Sequence, residues 1–146
     1  MNVAIGNDHA GLNLKLELME ALKQDGYQFI DCGTHTLQSV DYPDIAECVA
    51  KRVVAEGIPG ILICGTGIGI SIAANKIPGI RAALCNDLYT AKLAREHNDA
   101  NILAIGARVT AGGLALEIAR TFLKTPFAGG RHQNRVEKIK ALEHKF

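Results

Sequence analysis

The segment Gly60-Ile-Leu-Ile-Cys64-Gly-Thr-Gly-Ile-Gly69-Ile-Ser71 carries a cysteine to the end of an apolar, β-branched run and breaks there into three alternating glycines. Such a run reads as a buried strand, and the pattern resumes as a helix. Glycines let a backbone turn tightly and bring its N–H groups against a ligand. The start of the following helix points its positive end at the same spot. A thiolate beside a row of amide donors suits acyl transfer or removal of a proton next to a carbonyl. The competing reading is a core cysteine whose glycines serve only the packing of strand on helix. The spacing is not that of a dinucleotide fingerprint, and the loop lacks the lysine of a phosphate-binding P-loop.

Other groups able to do chemistry follow the same logic of position. Asp8 and His9 come directly after the first apolar run, where Asp8 can cap a helix or accept from a hydroxyl. His97 and Asn98 close a helical pattern, a place the helix dipole favours for histidine in any case. Arg108 follows the last apolar run. Arg131 and Arg135 stand at i, i+4 after Gly129-Gly130, as solvated charges or as a two-pronged phosphate clamp. Cys32, Cys48 and Cys85 lack the glycine loop and read as packing residues.

These residues are positioned by an alternation of short apolar and longer amphipathic runs. Asn2–Gly6, Tyr27–Asp31, Gly60–Cys64, Arg81–Cys85 and Asn101–Ile105 read as strands. Helices are expected from about Gly11 to Gln24, Tyr42 to Glu56, Ile68 to Lys76, Asp87 to His97, Ala111 to Lys124, and Arg131 to about His144. The run Leu12 to Leu18 alternates like a strand. It is read as helix because Leu14, Leu18 and Leu22 align at i, i+4 among strong helix formers. Gly26, Gly57 and Gly79 mark helix ends. The expected fold is α/β, one Rossmann-like three-layer domain over residues 1–146, with a five-stranded parallel sheet and a C-terminal helix. Ligands of such sheets sit beyond the carboxyl ends of the strands at the switch point of strand order. On that rule Asp8, His9, Cys64 with its loop, Asn86, Asp87, Arg108 and the stretch Glu96–Asp99 are expected together at one edge.

The bulk numbers narrow the partners. A chain of 146 residues buries about two-thirds of its unfolded surface. A formal net charge of +1 gives no overall field for nucleic acid or anionic membrane. No apolar run approaches transmembrane length, no signal peptide is expected, and the four cysteines show neither C-x-x-C spacing nor a metal-ligand rhythm. The expectation is a soluble cytoplasmic protein with reduced thiols, no cofactor and no metal.

Taken together, the motifs resemble one family, the type B ribose-5-phosphate isomerases with the related galactose-6-phosphate and allose-6-phosphate isomerases. The residues that carry the resemblance are Asp8-His9-Ala10-Gly11, Asp41-Tyr42-Pro43, Ile63 to Ser71, Asn75-Lys76, Arg95-Glu96-His97-Asn98, Gly106-Ala107-Arg108-Val109 and Gly129 to Val136. They span essentially the whole chain in order.

The resemblance implies aldose–ketose isomerisation of a sugar phosphate through an enediolate. Cys64 is then the base and His97 opens the sugar ring, with Thr66 assisting proton movement. Gly65, Gly67, Ile68 and Gly69 would offer backbone N–H groups, and Ser71 lies in the same motif. Asp8 and Asn98 would bind hydroxyls; His9, Arg108, Arg131 and Arg135 would hold the phosphate; Tyr42 would line the pocket. It also implies a homodimer or homotetramer with active sites shared between subunits, so that His97, Asn98 and Arg108 would come from the partner of the chain that supplies Cys64. Two alternatives stay open: a six-carbon substrate, and a non-catalytic subunit of a heteromeric isomerase. A flavodoxin-like binding module fits the fold but leaves Cys64, His97 and the arginine pair unexplained.

Overall fold

A computed structural model describes residues 1–146. Its strands are β1 (Asn2–Asn7), β2 (Gln28–Asp31), β3 (Gly60–Cys64), β4 (Ala82–Leu84) and β5 (Ile102–Gly106). Its helices are α1 (Leu12–Gln24), α2 (Tyr42–Glu56), α3 (Ile68–Ala74), α4 (Leu88–Asn98), α5 (Gly112–Lys124) and α6 (Arg131–Leu142). All strand pairs are parallel, in the order β2-β1-β3-β5-β4. The expected elements are present, trimmed mainly at edge strand β4 and at the ends of α3 and α6. A short 3-10 turn at His9–Gly11, capped by Asp8, precedes α1.

The central strands β1, β3 and β5 are buried on both faces, so their sequences are continuous apolar runs rather than alternating ones. Val3, Ile5, Ile61, Ile63, Leu103 and Ile105 meet α1, α4 and α5 on one side. Ala4, Leu62, Cys64, Ile102 and Ala104 meet α2 and α3 on the other. The alternating leucines of α1 are helical: Leu14, Leu18 and Leu22 are buried while Leu16 is 53% exposed. Each fully buried leucine contributes roughly 2 kcal/mol by removal from water, enough to settle the segment as helix. Gly57 closes α2 in the left-handed region at φ 64°, as its place in the sequence implies.

Strand order creates the feature that matters. From β1 the chain leaves to one face through α1, and from β3 to the other through α3, so a crevice opens between the ends of these neighbouring strands. Asp8 and Cys64 stand at its two sides.

One charged side chain is wholly inside. Lys15, in α1, has no exposed surface, and its Nζ donates to Thr34 O at 2.9 Å and Asp31 Oδ1 at 3.2 Å, with Asp31 Oδ2 at 3.0 Å. The ammonium thereby ties α1 and the end of β2 to the segment leading to α2. Replacing it with methionine leaves Asp31 without its cation; Lys15→Met is expected to lower stability by about 3–5 kcal/mol in urea unfolding. A loss under about 1 kcal/mol would show that Asp31 is solvated well enough without it.

Candidate active site

Cys64 ends β3 with 5% of its surface exposed, and the backbone N–H of Gly67 points at its sulfur at 3.1 Å. The sulfur therefore accepts a backbone hydrogen bond at the entrance of the glycine loop. The other cysteines meet different conditions. Burial and a hydrogen bond to Cys48 push the Cys32 thiol up to about 12, and burial pushes Cys85 up to about 11. Both stay protonated at neutral pH; Cys85 is buried and Cys32 partly so, whereas Cys48 is exposed on α2 and is not the packing residue the sequence suggested.

The loop after Cys64 has its shape because only glycine fits. Gly67 sits at φ 80°, and a Cβ there would stand 2.5 Å from Leu84 Cδ1 and 3.0 Å from Gly106 N. Gly106 is equally confined: a Cβ would lie 2.5 Å from the Thr66 carbonyl. The loops leaving β3 and β5 are thus pressed together and cross-bonded, Ala107 N–H donating to Cys64 O at 2.8 Å and Arg108 N–H to Gly65 O at 3.0 Å. Thr66 Oγ1 accepts from Ile68 N–H at 3.2 Å, which leaves its own hydroxyl proton available. Ser71 donates its hydroxyl back to Ile68 O at 2.8 Å and so braces the first turn of α3.

Around this loop stand several residues singled out from the sequence. Asp8 is almost buried, with its N–H bonded to Ile63 O at 3.1 Å and Oδ1 accepting from Ala10 N–H at 3.0 Å. His9 Nδ1 accepts from Val40 N–H at 3.3 Å, which places the ring proton on Nε2. The Tyr42 ring covers Gly69, where an added Cβ would be 2.6 Å away. The Arg108 guanidinium reaches Gly65, its Nη1 3.1 Å from where a Cβ would stand. Arg108 therefore groups with the Cys64 loop of its own chain rather than with His97 and Asn98.

The expectation that Glu96–Asp99 joins the same edge fails within one chain. A helix after a parallel strand runs back alongside the sheet, so α4 starts at the carboxyl edge and ends at the amino edge. The next residues confirm the level: Gly60 N–H, at the start of β3, donates to Asn101 O at 2.9 Å. His97 and Asn98 consequently lie about a strand length from Cys64. Arg131 and Arg135 are on their side, in exposed positions at the start of α6, which packs on α4. The ring of His97 stacks on that of His132, with centroids 4.1 Å apart and planes 12° apart.

Two arginines hold the end of α4. Arg81 Nε donates to Asn98 O at 3.0 Å and its Nη2 to Asp99 O at 2.8 Å, while Arg95 Nη1 donates to Asp99 Oδ1 at 2.9 Å. Asp99 adopts a left-handed conformation at φ 45°. Neither Arg81 nor the Lys15–Asp31 pair carried a signal in the sequence beyond its charge, and Asp99, expected at the ligand edge, instead ties down the end of α4. Each site residue thus belongs to one of two clusters: Asp8, His9, Tyr42, Cys64–Ser71 and Arg108 at the carboxyl edge, and His97, Asn98, Arg131 and Arg135 at the amino edge.

The chain is similar to known proteins over nearly its whole length. The family described as Ribose/Galactose Isomerase matches residues 3–139. Ribose-5-phosphate isomerase B of Escherichia coli is 49% identical over 98% of this chain and 97% of its own. The structure of Clostridium thermocellum ribose-5-phosphate isomerase B superposes with a TM-score of 0.97 at 57% identity, covering 99% of both chains. Ribose-5-phosphate isomerase B of Mycoplasma genitalium, solved with bound ribulose-5-phosphate, gives a TM-score of 0.95 at 42% identity, covering 99% of this chain and 97% of the other.

Proposed function

Because the chain belongs to the ribose/galactose isomerase family and is a sugar phosphate isomerase, we propose that it interconverts ribose 5-phosphate and ribulose 5-phosphate through an enediolate, with Cys64 as the base. The observation that carries the assignment of the base is the nearly buried Cys64 sulfur, met by the Gly67 N–H at the mouth of the β1–β3 crevice. The substrate follows from the relatives, named for ribose 5-phosphate and in one case holding ribulose-5-phosphate.

The chemistry is balanced by one base and one movable hydroxyl proton. The Cys64 thiolate takes the proton from C2 of the open-chain aldose, and the C2 electrons form the C1–C2 double bond as charge moves to O1. Backbone N–H groups of the Gly65–Gly69 loop meet that charge, each such donor being worth roughly 3 kcal/mol in a dry site. A proton passes from O2 to O1, helped by the free hydroxyl proton of Thr66, and Cys64 returns its proton to C1. A carbon beside a carbonyl is only weakly acidic, so base and anion stabilisation must act in the same step.

The resting aldose is a closed ring, and its opening falls to His97 by acid/base transfer. Since His97 lies at the other sheet edge, it serves the site built around the Cys64 of a second copy of the chain. That second copy also brings Asn98 to a hydroxyl and Arg131 and Arg135 to the phosphate. Asp8 binds a hydroxyl from the Cys64 side, Tyr42 lines the pocket, and His9 Nε2–H and Arg108 meet the phosphate. Phosphate contacts remote from C1 and C2 fix the reacting end in place.

Turnover of ribose 5-phosphate, allose 6-phosphate and galactose 6-phosphate at matched concentrations tests the substrate. A kcat/KM preference of at least tenfold for ribose 5-phosphate is expected. A six-carbon preference would keep the mechanism and replace the substrate. No turnover of any of the three would point to a missing partner subunit.

A further inference from the structure

His97 is the only ring-opening group in the proposed reaction, yet no hydrogen bond within the chain reaches its imidazole. Its backbone is well held, through the bonds of Arg81 and Arg95 to Asn98 and Asp99. Its side chain is not held by them, because both arginines act beyond Cα of the next residue. What touches the ring is His132, nearly parallel at 12° with centroids 4.1 Å apart. His132 is itself anchored: its N–H bonds Gly129 O at 3.1 Å as α6 begins, and Val136, one turn on, is 1% exposed against the neighbouring helix. A ring stacked on one face keeps both ring nitrogens free at its edge, where in-plane bonds to a sugar oxygen form.

We propose that His132 is a positioning residue for His97, its ring serving as a rigid plate that fixes the imidazole which opens the sugar; the proposal rests on the reading of His97 as the ring-opening group. The charges around the stack suit that task. The groups that face His132 are His97 and Glu96 from α4 and Arg131 and Arg135 from α6. Partial burial, then the positive charge of His97 and the two arginines, hold His132 below the usual histidine range, with Glu96 opposing. These neighbouring positive charges disfavour a further charge on the His132 ring, and so favour an uncharged plate.

Two reactions separate this role from a merely structural one. Isomerisation of ribose 5-phosphate requires ring opening. Exchange of a C1 hydrogen of ribulose 5-phosphate with solvent deuterium starts from an open chain and needs only Cys64 and its loop. In His132→Ala, isomerisation is expected to fall about tenfold or more, a share of the 10²–10⁴ carried by a general acid–base group, while C1 exchange stays within about twofold of wild type. His132→Phe, which keeps a flat ring and loses the titrating nitrogens, is expected to recover most of the loss. Equal loss of both reactions in His132→Ala, no loss of either, or a His132→Phe as impaired as His132→Ala would each overturn the proposal. His97→Ala is measured beside them. If it keeps normal isomerisation, the reading of His97 itself fails and the positioning role falls with it. If it loses isomerisation and keeps exchange, His97 stands as the ring-opening group and the two His132 variants alone decide the positioning role.

Discussion

Cys64→Ala is expected to lower isomerisation by about 10²–10⁴-fold while leaving affinity for the sugar phosphate within a few-fold of wild type. The asymmetry follows from geometry. The sulfur sits at the end of β3 beside the Gly67 N–H, and in the proposed reaction it meets the carbon that loses its proton rather than the phosphate. The groups assigned to phosphate and hydroxyls, among them His9 and Arg108, belong to other strand ends and keep their places when the sulfur is removed. Thermal unfolding checks the fold: the substitution removes one buried atom and is expected to cost on the order of 1 kcal/mol. C1 exchange of ribulose 5-phosphate should be lost with isomerisation, which sets this variant apart from those at His97 and His132. Near-normal turnover with the protein intact would remove Cys64 from the role of base.

The second large effect is the return of activity on mixing two inactive variants, Cys64→Ala and His97→Ala. Within one chain these residues lie at opposite edges of the sheet. The segment after α4 is bonded to Gly60, four residues before Cys64, and strands rise about 3.3 Å per residue, so roughly 13 Å of strand intervenes. A proton is transferred over about 3 Å, so the proposed mechanism requires a second copy to supply one of the two groups. In a twofold dimer each site pairs the Cys64 of one chain with the His97 of the other. A mixed dimer then holds one site with both substitutions and one with neither. Equal amounts reassorting at random are expected to recover about a quarter of wild-type activity, since half the dimers are mixed and each has one intact site. Subunit exchange is followed by native mass spectrometry. Exchange without recovery would show that the site is not shared in this way.

How much of this was legible in the sequence differs from residue to residue. The strands β1, β3 and β5 were readable because burial on both faces demands uninterrupted apolar runs, and the glycine loop because no other residue fits at Gly67. The leucines of α1 were readable once their i, i+4 alignment was weighed against their alternation. The common location of Cys64, Asp8 and Arg108 was readable from their positions after strands, which the parallel sheet collects at one edge.

Lys15 was not readable. Flanked by leucines on an amphipathic helix, it has the pattern of a surface lysine, and only the arrival of Asp31 and the Thr34 carbonyl makes its burial tolerable. The His97–His132 stack joins residues far apart in the chain through the packing of α6 on α4, which neither segment records by itself.

The sequence by itself determined the elements, the placement of the thiol and the identity of the groups available for catalysis, because these follow from local periodicity and from the backbone freedom of glycine. The tertiary structure alone decided the strand order β2-β1-β3-β5-β4 and the division of the site residues between two edges. The physical reason is direction. A helix that returns along a parallel sheet carries its last residues to the far edge, and what they then meet depends on long-range packing, which local periodicity does not encode.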